Sequence, residues 1–217
     1  MQFLNLIQQL LYPSVCQVCG TQLLGSEVQL CLYCLSNLPR TDYIKCRENA
    51  TEKLLWGRMD FVHAASFLYF SKGGITQRVL YQIKYRNRPG LAVELGKMMG
   101  RVLMSDPQWS DLDGVVPVPL HDKKMRKRGY NQSEELAKGM VEVMGLPVVK
   151  NLIRVSNHHS QTRSSRERRW ANVRSDFKLR NREELSNKNL LLVDDVITTG
   201  GVGIWRLWDI GDSGRHW

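Results

Sequence analysis

The sequence predicts an α/β protein, a parallel sheet flanked by helices, with a small cysteine-rich module at its amino-terminal end. Three observations carry this. Uninterrupted apolar runs such as Leu190-Leu191-Leu192-Val193 suit strands buried on both faces, as in a sheet covered by helices. Segments with apolar residues at helical spacing alternate with those runs, the pattern of βαβ units. Four of the 5 cysteines fall in two close pairs near the start. A chain of 217 residues has room for one α/β domain and an appendage.

Composition narrows the partners. Hydrophobic residues make up 42% and charged residues 24%, the balance of an ordinary globular protein. No apolar run reaches membrane-spanning length, so no membrane insertion is expected. The stretch from Met1 to Val15 lacks a basic region followed by a small-residue cleavage site. It reads as an amphipathic packing segment, and a cytoplasmic location is expected. A net charge of +10 and a pI near 9.6 call for anionic partners, phosphates or nucleic acid, without choosing between them.

Cys16-x2-Cys19 and Cys31-x2-Cys34 are separated by eleven residues. Each pair can form a knuckle, and together they offer four thiolates to one tetrahedral Zn2+. Gly20 permits the tight turn after the second cysteine. Tyr12-Pro13 and Leu38-Pro39 bracket a module too small to fold on a hydrophobic core alone. Disulfides are the competing reading, disfavoured in a reducing cytosol. Cys46 stands apart as a spare thiol.

The expected organisation is an amino-terminal segment and zinc ribbon over 1–40, a polar linker over 41–60, the α/β domain over 61–200 and an atypical tail over 201–217. Phe61 to Phe70 reads as a strand and Gly73-Gly74 as its break. A helix follows from Ile75 to about Tyr85, with Ile75, Val79, Leu80 and Ile83 apolar; a second covers Leu91 to Met104. Lys84, Tyr85 and Arg86 read as a solvated helix end, with phosphate contact as the alternative. Asp113 to Leu120 is the next strand.

Five of the six residues from Lys123 to Arg128 are basic, and Gly129-Tyr130-Asn131-Gln132-Ser133 then opens a helix. A basic loop between a parallel strand and a helix suits a polyanion; a solvated charge run is the alternative. From Asn157 to Arg174 a long excursion carries Arg163, Arg166, Arg168, Arg169 and Arg174 around Trp170. It reads as a lid or binding loop, or as a contact for single-stranded nucleic acid through phosphate pairing and base stacking, or as a mobile basic hairpin. His158 and His159 read as loop filler.

The most informative stretch is Leu190 to Gly200. Its apolar strand runs into Asp194 and Asp195, then into Thr198-Thr199-Gly200-Gly201. Paired carboxylates are costly to bury alone, so they should face the cleft at the strand's carboxyl end, where open α/β sheets bind ligands. The hydroxyls and backbone N–H groups that follow suit a phosphate. Carboxylates for sugar hydroxyls beside donors for a phosphate make a ribose 5-phosphate site.

This arrangement resembles the phosphoribosyl pyrophosphate (PRPP) motif of the type I phosphoribosyltransferases. The resemblance implies a fold of that type, with Asp194 and Asp195 on the ribose hydroxyls and Thr198, Thr199, Gly200 and Gly201 around the 5′-phosphate. It further implies Lys123, Lys124 and Arg128 on the pyrophosphate, Mg2+ arriving with PRPP, and the arginine-rich excursion as a lid. Pro117-x-Pro119-Leu120-His121, Arg128 to Ser133, Gln161-Thr162, Arg166, Arg168, Asn172 and Phe177 resemble the ComF (ComFC/GntX-like) family of competence-associated, phosphoribosyltransferase-like proteins. That likeness runs from about Leu11 to Gly200 and includes the four cysteines. It implies a role in DNA uptake or nucleotide reuse, with PRPP, single-stranded DNA and competence helicase-type proteins as partners. The rival readings are a DNA-binding protein without transferase activity and an inactive relic.

The chain departs from the family pattern after Gly200. Gly201-Val202 removes a phosphate-loop hydroxyl, and the following residues contain three of the 6 tryptophans. Ile204, Leu207 and Trp208 are expected on one short helical face, with a sheet flank left uncovered. A truncation or reading-frame change after Gly200 is the expectation, a deliberate variant its alternative.

Overall fold

The computed structural model describes residues 13–57, 60–155 and 177–196 in full and residues 203–207 as backbone. In chain order the elements are α1 (Leu32–Ser36), α2 (Ala50–Leu55), β1 (His63–Ser66), α3 (Ile75–Tyr85), α4 (Pro89–Met104), β2 (Gly114–Pro117), α5 (Asp122–Arg128), α6 (Gln132–Met144), β3 (Leu152–Arg154), β4 (Phe177–Leu179), β5 (Leu190–Asp194) and β6 (Gly203–Leu207). One central sheet has the order β1-β6-β5-β2, and β3 and β4 form a separate pair.

The parallel component expected from the apolar runs is the β2·β5 pair, Gly114 opposite Leu190 through Pro117 opposite Val193. Both strands are nearly closed to solvent: Val115, Leu190, Leu191 and Val193 are fully buried. Hydrophobic burial of this kind is the main favourable term in folding. β6 is the departure. The apolar residues after Gly200 were expected on a helical face, but Gly203–Leu207 runs as a strand, antiparallel to β1 on one side and β5 on the other. Filling that place satisfies the backbone groups of both neighbours, which outweighs a short helix whose end groups need partners of their own.

Helices α4 and α6 pack against each other through their glycines. A Cβ on Gly139 would overlap the Val93 carbonyl oxygen and stand 2.9 Å from the Lys97 amide nitrogen; one on Gly96 would overlap the Leu136 carbonyl oxygen. The backbones touch where side chains are missing. Lys97 and Glu142 then bridge the two helices at 2.7 Å.

The same core includes the cysteine module. Cys16, Leu30, Cys31, Cys34 and Leu38 pack in one cluster with Leu91, Leu95 and Val115, and a Cβ on Gly90 would come to 3.0 Å of Gln29. The segment expected as a polar linker is built in as well. Asn49 caps α2 by accepting from the Thr51 and Glu52 amides at 2.8 and 3.1 Å, and donates to the Ala64 carbonyl of β1 at 2.8 Å. Glu52, His63 and Thr51 are buried; Glu52 accepts from the Ala64 amide at 3.2 Å and from His63 Nδ1. Polar sequence here signals a hydrogen-bonded interior, because buried polar groups need partners.

Residues 123–128, expected as a basic loop, are the body of α5. His121 caps that helix, its Nδ1 accepting from the Lys123 amide at 3.2 Å. Gly129 ends it at φ +82, a left-handed conformation suited to glycine. Among the described residues no helix is long and apolar enough to cross a membrane.

Candidate functional site

The acid pair stands at the carboxyl end of β5, where β2 has just released the chain: the Val118 amide donates to the Val193 carbonyl at 2.9 Å, one residue before Asp194. Six consecutive residues, 128–133, then frame the acid pair. Arg128 Nη1 donates to Gln132 Oε1 at 2.7 Å, and its guanidinium lies 5.8 Å over the Tyr85 ring. Gly129 turns the chain. The Tyr130 hydroxyl donates to the Ile83 carbonyl of α3. Asn131 caps α6, accepting from the Ser133 amide at 3.1 Å, and its Nδ2 donates to the Val118 carbonyl at 3.0 Å. Ser133 reaches the acid pair itself.

Asp194 Oδ1 accepts from Ser133 Oγ at 3.0 Å and from the Asp195 amide at 2.8 Å. Asp195 Oδ2 faces Lys84 Nζ at 3.1 Å. Burial, and then the negative charge of Asp195, push the Asp194 carboxyl up from 3.8 to about 6, against the pull of its two hydrogen bonds and of Lys84. The neighbouring cations feel one another. Burial, then the charges of Arg154 and Arg128, lower the Lys124 ammonium, while Asp195 acts in the opposite sense. Asp195 therefore interacts with Lys84 of α3 and Lys124 of α5, and Lys124 in turn feels Arg128 and Arg154.

Of the expected site residues, Asp194, Asp195, Lys124 and Arg128 converge here. Lys123 is exposed on α5. Thr198, Thr199, Gly200 and Gly201, and the loop residues Arg163, Arg166, Arg168, Arg169 and Trp170, lie outside the described residues. Two participants were missed or undervalued. Lys84, read as a solvated helix end, makes the ion pair with Asp195; its spacing after Leu80 and Ile83, on the buried side of α3, was the available signal. Ser133 was noted only as part of a helix start, although a hydroxyl in the first turn of a helix facing a strand end is placed to meet the strand's last residue.

The second cluster is sulfur. Cys16, Cys19, Cys31 and Cys34 have sulfur atoms all within 4.8 Å of one another. A tetrahedral zinc thiolate site needs sulfurs about 3.8 Å apart, and the described cysteines are free of disulfides. The four could therefore hold a zinc ion. Thr21, through hydroxyl and amide, lowers the Cys19 thiol to about 6, whereas burial and the neighbouring sulfurs raise that of Cys34. Four crowded thiols resist shared ionisation until a cation joins them.

No protein-family model matches the chain. Over 90 residues, 41% of the chain and 39% of the relative, it is 33% identical to competence protein F of Haemophilus influenzae. It is 25% identical over 195 residues, 86% of the chain and 79% of the relative, to the DNA utilization protein YhgH of Salmonella typhimurium. A third match, 33% identical over 40% of the chain and 33% of the relative, is competence protein ComFC of Bacillus subtilis. The matches thus span well under half the length of the Haemophilus and Bacillus proteins. A solved glutamine PRPP amidotransferase from B. subtilis superposes on 54% of the chain and 25% of its own, at 23% identity and a TM-score of 0.34. The chain is thus similar over part of its length to competence protein F and ComFC, and over most of it to YhgH, and is built as a mixed α/β domain with a four-cysteine cluster at its amino-terminal end.

Proposed function

We propose that the cleft beside Asp194 and Asp195 binds PRPP, or another ribose 5-phosphate ligand, and that the protein serves DNA uptake or nucleotide reuse. The observation that carries this is the pairing of two carboxylates, at the end of a parallel strand, with cations from two separate helices, Lys84 and Lys124, acting on one of them. Such a field accepts a ligand that presents hydroxyls to the acids and polyanionic groups to the bases. Asp194 and Asp195 orient the ribose hydroxyls. Lys124 and Arg128, with Lys123 beside them, neutralise the pyrophosphate, and Thr198 to Gly201 take the 5′-phosphate. The arginine loop from Arg163 to Trp170 closes over the ligand.

Mg2+, a hard cation satisfied by oxygen, fits a site whose donors are carboxylates and a hydroxyl; bound with PRPP, it would offset negative charge between ribose and pyrophosphate. Zinc fits the sulfur cluster, held by Cys16, Cys19, Cys31 and Cys34 in a structural role. If the site is catalytic, a nucleophile forms a bond to the ribose C1 while the C1–oxygen bond breaks and pyrophosphate leaves with the electron pair. The test is calorimetric titration of the zinc-loaded protein with PRPP and Mg2+, repeated on Asp195→Asn. Binding that disappears in the variant supports the reading. An unchanged titration curve means the site is elsewhere, and a wild-type protein that does not bind overturns the proposal.

A further inference from the structure

The four clustered cysteines are alike in sequence and unlike in place. Cys16, Cys31 and Cys34 are buried, and Cys19 is exposed. The three buried sulfurs belong to the core cluster that also holds Leu91 and Leu95 of α4, and Cys19 is not among its members. Its Sγ lies 3.3 Å from the Thr21 hydroxyl and 3.6 Å from Cys31 Sγ. Gly20, at φ +79, turns the chain immediately after it. A reagent arriving from solvent therefore meets Cys19 first, and a second sulfur already stands in contact with it. Core packing accounts for the three buried sulfurs and leaves the exposure of the fourth unused.

We propose that Cys19 is an oxidation site that makes the cysteine module a redox-labile zinc site: a peroxide oxidises Cys19, Cys31 closes a disulfide on it, and zinc is released. This rests on reading the cluster as a zinc site. The Cys19 sulfur attacks one oxygen of hydrogen peroxide and the O–O bond breaks, leaving a sulfenic acid and hydroxide. The Cys31 sulfur then attacks the Cys19 sulfur, the S–O bond breaks and a second hydroxide leaves with the electron pair. Two protons turn both hydroxides into water. The two sulfurs together lose two electrons and the peroxide gains them. Only Cys16 and Cys34 then remain as thiolate donors, where a structural zinc site needs four ligands. A thiol reductant reverses the step by exchange.

The metal state reaches beyond the module. Gln29 and Leu30 lie between Cys19 and Cys31 in the chain. A Cβ on Gly90 would come to 3.0 Å of Gln29, and Leu30 shares its cluster with Leu91, so the first turn of α4 leans on this segment. Three residues join α3 to α4. Loss of the metal loosens the first turn of α4, and with it the corner that follows Lys84.

The test is a titration of the full chain with hydrogen peroxide, its zinc content first measured by atomic absorption. Released zinc is read with a chromogenic chelator, and the cysteine pairing by mass spectrometry of peptides. Zinc leaves in step with the appearance of a Cys19–Cys31 disulfide, amide hydrogen exchange over residues 89–95 rises, and a thiol reductant with added zinc restores the starting state. Cys46→Ser, which removes the other exposed thiol, gives the same release. Cys19→His keeps a donor in the fourth position, since zinc accepts three cysteines and a histidine, and retains its metal at a peroxide dose that empties the wild type. A chain without zinc overturns the zinc reading and this proposal together. Zinc held through the titration, zinc lost with no disulfide at Cys19, or release that depends on Cys46 overturns this proposal alone. Unchanged exchange over residues 89–95 overturns the transmission to α4. The disulfide is mapped on the wild type, so a folding defect in either variant cannot obscure it.

Discussion

Asp194 should be a liability to the folded chain that ligand binding redeems, and Asp194→Asn exposes it. The carboxyl rises from 3.8 to about 6 because burial and Asp195 disfavour its charge. For an acid raised on folding, the native state holds the proton over a pH range where the unfolded chain has released it. Unfolding free energy therefore falls as pH climbs from the unfolded value to the folded one, and the loss is complete above it. The size of that shift corresponds to about 3 kcal/mol at full development, an upper bound for a group in partial contact with water. The asparagine keeps the shape, and its carbonyl can accept from Ser133 Oγ and the Asp195 amide, the two bonds that Asp194 Oδ1 makes. It carries no charge to lose.

Urea denaturation of both zinc-loaded proteins between pH 5 and pH 8 measures the difference. The variant should gain on the wild type as pH rises toward about 6 and hold a constant advantage of about 1–3 kcal/mol above it. Ionisable groups that do not interact with Asp194 are common to both proteins and cancel in the difference. A gap that does not change with pH, or a variant less stable at pH 8, would refute the claim that the folded site strains this carboxylate.

Three further outcomes are expected. Ser133→Ala removes a hydrogen bond to the charged form of Asp194, so PRPP affinity measured by calorimetry at pH 7 should fall several-fold, by about 1 kcal/mol. Gly139→Ala drives a methyl group into the Val93 backbone and should cost about 1–3 kcal/mol in urea denaturation, against about 1 kcal/mol for Gly129→Ala, where space is open and only the left-handed backbone objects. Chelation of zinc should lower the thermal midpoint of the whole domain in a single transition, because the cysteine module shares the core of α4; an unchanged midpoint, or a separate early transition, would show the module to be energetically detached.

Legibility followed physics that is local. The β5 strand and its two aspartates were readable because burial on both faces leaves an apolar run, and paired acids at its end have few structural excuses. Helix α3 was readable from Val79, Leu80 and Ile83 at helical spacing. The cysteine spacing gave the cluster outright. What was obscure depends on contacts distant in sequence. The polar stretch around Asn49 and Glu52 resembles a linker until His63 and Ala64 are seen to complete it. Lys84 resembles any cationic helix end until β5 brings Asp195 to it. The strand at Gly203–Leu207 has a helix-compatible pattern; the vacancy between β1 and β5, which no local rule encodes, decides its state.

The turn from Arg128 to Ser133 shows why a short stretch of sequence carries so much of the site. Four of its residues bond to four different parts of the fold: Tyr130 to α3, Asn131 to the end of β2, Ser133 to the end of β5, and Arg128 to the first residue of α6 and the face of Tyr85. Together they hold α3, and with it Lys84, at a fixed distance from β5, and with it Asp195. Replacing any one of them disturbs a distance between charges rather than one contact. At a separation near 3 Å, as between Lys84 and Asp195, the energy of such a pair changes steeply with position. The motif therefore behaves as the frame that sets the electrostatics around the acid pair, and the chemistry assigned to the aspartates depends on Tyr130 and Asn131 as well as on the groups assigned to the ligand.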